Sequence, residues 1–349
     1  MSSGRSRVQA LVAAAARCAD PADELGRKAR QELAISSGLS PASIGWALAE
    51  CLETAPSLAE LDALCASVTR ARAVHVILPA NVFVATHRAI ALGLAASASV
   101  FVRPSRREPH FARLLAQATP GLFAIVPEIS PQPGDVVWAY GGETSLAAVQ
   151  AKLPTGALLH AQGPGFGFAI IEAAHASLGA AAALALDIAA FDQRGCLSPR
   201  GAVVVGDRPD ALAFAALVAH ALGELAERMP LGRLDDDERA EITRFRSAGA
   251  YAGTLLGAGP GWVLVPEDAR AGTAPIGRNL HVSAAPSLDA ALGRLDPTLI
   301  TTLGVAGAES LAHATASALP RARVVPLGRM QRPAFDGPAD RRGSELTKR

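Results

Sequence analysis

The feature that most constrains this chain is a change of period near residue 70. Before it, apolar residues recur only at helical spacing, over 8–18, 24–35 and 58–68. Ser36-Ser37-Gly38 closes one helix, and Ser40-Pro41 opens the next at a position where the missing proline N–H costs little. After residue 70, short β-rich runs alternate with helical stretches. The run 74–78 ends at Pro79, and a helix follows over Ala85–Ala96. The run 99–102 ends at Arg103-Pro104-Ser105, and a helix follows over 109–118. The runs 122–126 and 135–140 come next, the latter ending in Gly141-Gly142. Strands and helices alternating at this length predict a parallel, doubly wound sheet. Ligands of such sheets sit outside the carboxyl ends of the strands. Pro79, Arg103 and Gly141 all lie at such ends and are the first places to look for cofactor contacts.

A second α/β unit begins near Ile170. It reads as a helix over 178–191, the segment Gln193-Arg194-Gly195-Cys196, a strand over 202–205 and a helix over 209–228. A charged surface helix within 231–250, a strand over 261–265, a helix over 288–295 and a strand over 299–303 follow. From Pro326 the chain is rich in Arg, Pro and Gly and reads as an ordered loop, and there is no internal repeat. The 349 residues suffice for two cores. With 50% hydrophobic and 19% charged residues the chain is globular, and a net charge of +1 gives no broad field for nucleic acid or a membrane surface. No run of 18 uncharged apolar residues has the makeup of a membrane span; the nearest, 173–190, is broken by His175 and Asp187. The four cysteines are scattered without a close pair, which suits a reducing compartment, and the N-terminus reads as an amphipathic helix and not a signal peptide. A cytoplasmic protein without a metal site is expected.

Cys196 is the first candidate for chemistry. It lies in a loop flanked by Gly195 and Pro199, and a loop cysteine beside an arginine can carry a lowered pKa and act as a thiolate nucleophile. The competing reading is a small buried hydrophobe, which is preferred for Cys18, Cys51 and Cys65 at helical spacing among apolar residues. Asn81 in Pro79-Ala80-Asn81 either donates its amide to an oxyanion or caps the following helix. Arg103 and Arg106, around Ser105, suit a phosphate or a solvated turn. Gly141-Gly142 is a glycine turn after a strand. Gln162-Gly163-Pro164-Gly165-Phe166-Gly167 lacks the spacing of a dinucleotide fingerprint or a P-loop. The eight histidines have no metal-ligand spacing, and His160 alone is near a glycine loop.

In order along the chain, these segments resemble the aldehyde dehydrogenase superfamily, most closely the LuxC-like acyl-CoA reductases. Pro79-Ala80-Asn81 is similar to the superfamily's Pro-Trp-Asn turn, with Ala80 in place of Trp. Ala91-Leu92-Gly93 and Arg103-Pro104-Ser105 resemble its small-residue helix and Lys-Pro-Ser turn. Trp138-Ala139-Tyr140-Gly141-Gly142 is similar to the Phe-Thr-Gly-Ser turn at the nicotinamide. Gln193-Arg194-Gly195-Cys196 resembles the Gly-Gln-x-Cys segment of the nucleophile. The segment around Ser37-Gly38-Leu39-Ser40 and the tail from Gly328-Arg329-Met330 to Asp336-Gly337-Pro338 resemble the LuxC-like branch. The resemblance spans most of 30–343.

It implies an aldehyde-dehydrogenase-like fold with an N-terminal helical segment (1–70), a nucleotide-binding domain (71–170, to which the tail 321–349 is a candidate to return) and a catalytic domain (171–320). It implies NADPH-dependent reduction of a fatty acyl thioester, from acyl-CoA or acyl-carrier protein, through a thioester on Cys196. Asn81 would serve the oxyanion, and Pro79, Arg103, Ser105, Arg106, Gly141 and Gly142 the cofactor; a homo-oligomer is expected. Arg106 replaces a Glu that binds the adenosine ribose in NAD-preferring relatives, and an arginine there accommodates a 2′-phosphate. The superfamily's Glu base should fall near Ala161 or Gln162, and no acid is present there. General-base help to water is worth about 10²–10⁴ in rate, so its loss favours thioester reduction over hydrolysis to a free acid. A cysteine acyltransferase or thioesterase without a redox step, and a non-catalytic nucleotide-binding scaffold, remain open.

Overall fold

Capping chemistry sets the first helices. Ser3, Asp23, Ser40 and Ser57 each accept a backbone N–H at the start of α1 (Gly4–Ala19), α2 (Glu24–Ser36), α3 (Pro41–Glu50) and α4 (Leu58–Ala66). Glu60 completes a capping box with Ser57. The computed structural model describes residues 3–257, 259–268 and 270–347. The chain divides into two compact units. The first contains the described residues of Met1–Pro164, Ala334–Ala339 and Gly343–Arg349; the second contains those of Gly165–Pro333 and Asp340–Arg342. The first seventy residues therefore belong to the first unit, where α1 packs on α5 (Ala85–Ala96).

The sheet of the first unit contains β1 (Val74–Ile77), β2 (Val100–Arg103), β3 (Ala124–Ile125), β4 (Val136–Tyr140), β5 (Leu158–Gln162) and β13 (Ser344–Thr347), in the order β13-β5-β4-β1-β2-β3. All neighbours are parallel except β13, which runs antiparallel to β5. The tail expected to be loop after Pro326 thus contributes an edge strand. Helix α5 is buried nearly all round. At Gly93 an added Cβ would meet Val100, Val76 and Val74 side chains at 3.2–3.5 Å, so the absence of a side chain there sets how closely α5 lies on β1 and β2. Successive strands run outward from β1 through β2 to β3, and then β4 is laid on the other side of β1. The topological switch point lies between the carboxyl ends of β1 and β4.

A buried ion pair fastens the returning tail to this unit. Arg88 of α5 donates to the carbonyls of Ala334 (2.7 Å) and Gly337 (2.8 Å) and to Glu53 Oε1 (2.5 Å), while Phe335 stacks on His87. Burial alone would push the Glu53 carboxyl up, but Arg88 and His87 outweigh it and hold it at about 2. A folded-state pKa below the unfolded value of 4.5 stabilises the fold above pH 4.5, and that stabilisation is lost as pH falls from 4.5 toward 2. Its size is on the order of 3 kcal/mol. Urea unfolding across this window should show a steep loss in the wild type and a much flatter profile in Glu53→Gln, which is already destabilised at pH 7. Equal slopes would contradict the assignment.

The second unit holds β6 (Phe166–Glu172), β7 (Pro199–Val205), β8 (Gly253–Leu256), β9 (Val263–Pro266), β10 (Leu280–Ala285), β11 (Ile300–Ala306) and β12 (Arg323–Pro326), ordered β12-β11-β6-β7-β10-β9-β8. Only β8 pairs antiparallel. Helices α8 (Leu178–Ala189) and α9 (Arg208–Arg228) pack against this sheet. By length and composition alone, α9 could cross a bilayer. Its apolar stripe, including Phe214, Val218 and Leu222, lies instead in the core with Val263 and Leu280. Helix α10 (Asp236–Ala252) buries only Glu238 and Gly249, as its charged sequence predicts.

Candidate active site

In the first unit the expected site residues stand at the carboxyl ends of three strands. After β1 come Pro79 and the exposed Asn81; after β2, which ends on Arg103, come Ser105 and the exposed Arg106; after β4 come Gly141 and Gly142. β1 and β4 bound the switch point, and β2 is the next strand outward. Asn81 does not cap a helix: α5 has Val84 at its N-cap and no side-chain cap. Its Oδ1 instead accepts from Arg107 Nη1 at 3.4 Å, which leaves the Asn81 N–H groups directed elsewhere. Arg107, missed in the sequence, adds a further exposed cation beside Arg106. The Arg107 N–H donates to Ser105 Oγ (3.1 Å), which shapes this turn.

Helix α7 (Glu143–Lys152) starts on Gly142 and has no side-chain cap. Its first N–H groups are therefore open to an anion, and a Cβ at Gly142 would meet nothing within 4 Å. At the end of β5, Ala161 and Gln162 are buried, and no acid occupies the segment 158–167. His160 stacks on Trp138 with centroids 4.2 Å apart.

In the second unit Cys196 precedes β7 and is exposed, whereas Cys18 and Cys51 are buried and Cys65 is intermediate. The chain reaches it through three consecutive non-glycine residues in the left-handed region: Phe191 (φ 53°), Asp192 (φ 50°) and Gln193 (φ 67°). Each such residue is strained and persists only when its surroundings hold it. All three are buried, and each polar side chain is held firmly. Asp192 Oδ1 accepts from Arg278 Nη2 (2.7 Å) and Nε (3.1 Å), and its Oδ2 accepts from the Gly232 N–H (2.9 Å). Gln193 donates to the carbonyls of Pro199 (2.6 Å) and Asn279 (2.5 Å) and accepts from the Asn279 N–H (2.9 Å). Beyond the cysteine, Gln331 donates to Ser198 Oγ and to the Asp187 carbonyl, both at 3.3 Å. Burial pushes the Asp187 carboxyl up to about 7, opposed by the N–H groups of Gly328 and Met330 that it accepts.

The arginine expected to activate Cys196 is its sequence neighbour Arg194, and this expectation fails. Arg194 turns inward and pairs with Glu238 through Nε and Nη2, both at 2.8 Å. The expected lowering of the thiol is reversed as well. Protein packed around the loop disfavours the charged form and pushes the thiol up to about 11 although Cys196 itself reaches solvent; Asp340 adds to the rise and Arg342 opposes it. Arg342 stands 146 positions from Cys196, beyond the reach of local sequence patterns.

A family model described as acyl-CoA reductase (LuxC) matches residues 125–340. Among solved structures, the chain is similar to a NAD-dependent benzaldehyde dehydrogenase from Corynebacterium glutamicum, at 14% identity over 99% of this chain and 85% of that one, TM-score 0.69. It is also similar to a mutant of aldehyde dehydrogenase C from Pseudomonas syringae in complex with NAD+ and octanal, at 18% identity over 98% and 81%, TM-score 0.72. An indole-3-acetaldehyde dehydrogenase in complex with NAD+ aligns at 18% identity over 99% and 81%, TM-score 0.67. At such identities the likeness establishes an aldehyde-dehydrogenase-like fold. No curated protein matches the sequence.

Proposed function

The chain belongs to the acyl-CoA reductase (LuxC) family, and from that premise we propose that it reduces a fatty acyl thioester, carried on CoA or an acyl-carrier protein, to the aldehyde with NADPH, through a covalent thioester on Cys196. The observation that carries this reading is the exposed Cys196 presented by a buried, left-handed Phe191–Gln193 turn. Strain of this kind is expensive, and a polar cradle spanning Asp192, Gln193, Arg278 and Asn279 sustains it beside one accessible thiol.

In the first half-reaction a bond forms between Cys196 Sγ and the acyl carbonyl carbon. The bond from that carbon to the donor sulfur breaks, and the proton lost by Cys196 ends on the released thiol. The Cys196 N–H is one donor to the oxyanion that forms. Asn81 keeps the oxyanion-donating role that its Pro-Ala-Asn turn implies. NADPH supplies a hydride when bound. The strand ends of the first unit suit such a dinucleotide: at the switch point the uncapped α7 N-terminus takes a phosphate and Gly142 leaves room for close approach, and after β2 Arg103 and Arg106 add cations. A cytoplasmic homo-oligomer is part of the same proposal.

Preference for the 2′-phosphate is assigned to Arg106. In sequence the nearest acid to Arg106 is Glu108, which is buried and accepts the His110 and Phe111 N–H groups at the start of α6 (His110–Ala118). A charge-assisted contact is worth about 1.5–3 kcal/mol. Arg106→Glu should therefore reduce the NADPH-over-NADH ratio of kcat/KM by about tenfold or more. A wild type that prefers NADH, or an unchanged ratio, would remove Arg106 from this role.

The test of the whole reading omits NADPH first. With acyl-CoA alone, intact-protein mass spectrometry should show one acyl adduct, mapped to Cys196. It should decay slowly in water, because β5 ends without an acid to activate a water molecule. Free CoA should remove it faster, and NADPH should convert it to aldehyde. Rapid hydrolysis would favour a thioesterase, with His160 the first base to examine; absence of an adduct would favour a scaffold.

A further inference from the structure

Three tail residues, Asp340–Arg342, belong to the second unit although the segments on either side, Ala334–Ala339 and Gly343–Arg349, belong to the first. This short strap is fixed from several directions. Asp340 accepts from Arg342 Nη2 (2.7 Å), Nε (3.0 Å) and the Arg342 N–H (2.9 Å), and Arg342 Nη1 donates to the Thr298 carbonyl (2.5 Å). The pair is nearly buried, at 10% and 7% side-chain exposure, so its charges act in a poorly screened setting.

Gly165 shows where the guanidinium lies. A Cβ there would collide with Arg342 Nη2 and fall 2.7 Å from Thr301 Cγ2, so Arg342 and Thr301 crowd the same glycine. The Thr301 hydroxyl donates to the carbonyl of Cys196. Arg342 is therefore one side chain removed from the backbone of the proposed nucleophile.

We propose that the Asp340–Arg342 strap is a tuning element of the Cys196 site, with Arg342 the cation that acts on Cys196 and Asp340 the counter-anion that opposes it. Arg194, the cation nearest to Cys196 in sequence, is committed to Glu238 and does not take this role. Among charged groups acting on the thiol, Arg342 favours the thiolate and Asp340 opposes it, with desolvation the larger effect. Arg342 is a positioning residue here, acting on the reactivity of Cys196. The proposal rests on Cys196 being the nucleophile.

The test is the pH dependence of Cys196 alkylation by iodoacetamide in the full-length protein, read on the Cys196 peptide, with Cys196→Ala as the blank. Arg342→Gln should move the midpoint upward and slow alkylation below the midpoint by about threefold to tenfold, one pH unit being tenfold in thiolate. Arg342→Lys should retain most of the wild-type profile, and Asp340→Asn should move the midpoint down. A purely structural strap would alter thermal stability without moving the midpoints. Folded Arg342→Gln with the wild-type midpoint overturns the proposal; if that variant does not fold, a wild-type midpoint in Asp340→Asn overturns it. Alkylation reads the thiol whether or not acyl-CoA is turned over. A shifted midpoint in a protein that forms no acyl adduct therefore counts against the nucleophile assignment and not against the strap.

Discussion

Cys196→Ala should abolish aldehyde formation, with kcat falling by on the order of 10⁴-fold or more, while NADPH affinity stays within about twofold. The size follows from removing the atom that forms the covalent bond, for which the remaining binding groups compensate little. Affinity should persist because the residues assigned to the cofactor belong to the first unit and Cys196 to the second. Steady-state rates and a fluorescence titration of NADPH on the purified variant check the two halves separately. Retained turnover would end the covalent mechanism. Lost turnover together with lost NADPH binding would mean that the substitution perturbs more than the nucleophile.

Arg278→Ala should be the most damaging change to stability near the site, at about 3–5 kcal/mol. Arg278 and Asp192 are both fully buried, and Arg278 also donates to the Met229 carbonyl at 2.5 Å. Without Arg278, the Asp192 carboxylate is left in the core with the Gly232 N–H and a longer contact to Arg194 Nη1 at 3.5 Å. The left-handed turn loses the partner that holds its middle residue. Hydrogen exchange should quicken in peptides covering β7 and β10, with much smaller change in β1 and β4, and Cys196 acylation should slow even under conditions where the variant remains folded. A loss under about 1 kcal/mol would show that the Gln193–Asn279 bonds alone maintain the turn. Replacing both partners with apolar residues should cost less than Arg278→Ala, because no uncompensated charge remains.

Local chemistry wrote much of this fold into the sequence. Ala85–Ala96 is helical over the bounds its apolar spacing predicts, and Ser40-Pro41 opens α3 as its capping and proline chemistry require. Pro79, Pro104 and Gly141 follow the ends of β1, β2 and β4, where proline lacks the N–H that pairing needs and glycine favours a turn. These signals operate within one or two helical turns or a few strand residues, which is why they can be read without a partner. Strand β10 (Leu280–Ala285) carries no comparable signal, since its Leu-His-Val-Ser-Ala-Ala run is neither strongly β-branched nor cleanly alternating. It becomes a strand beside β7 because both its edges find hydrogen-bonding neighbours in β7 and β9. Strand β13 likewise exists through its pairing with β5, far back along the chain.

The site divides in the same way. By itself the sequence determined that Cys196 follows a long helix, that Asn81, Arg106 and Gly142 follow strands, and that no acid stands at Ala161 or Gln162. Tertiary structure decided what surrounds them. It turned Arg194 inward to Glu238, drew Asp192 onto Arg278, and set Arg342 and Thr301 against the same glycine, with the Thr301 hydroxyl donating to the Cys196 carbonyl. No glycine announces the left-handed turn at Phe191–Gln193, because its conformation is imposed by hydrogen bonds to residues about 40 and 86 positions away. Charges act through space and desolvation through packing density, and neither quantity is a property of residues adjacent in the chain.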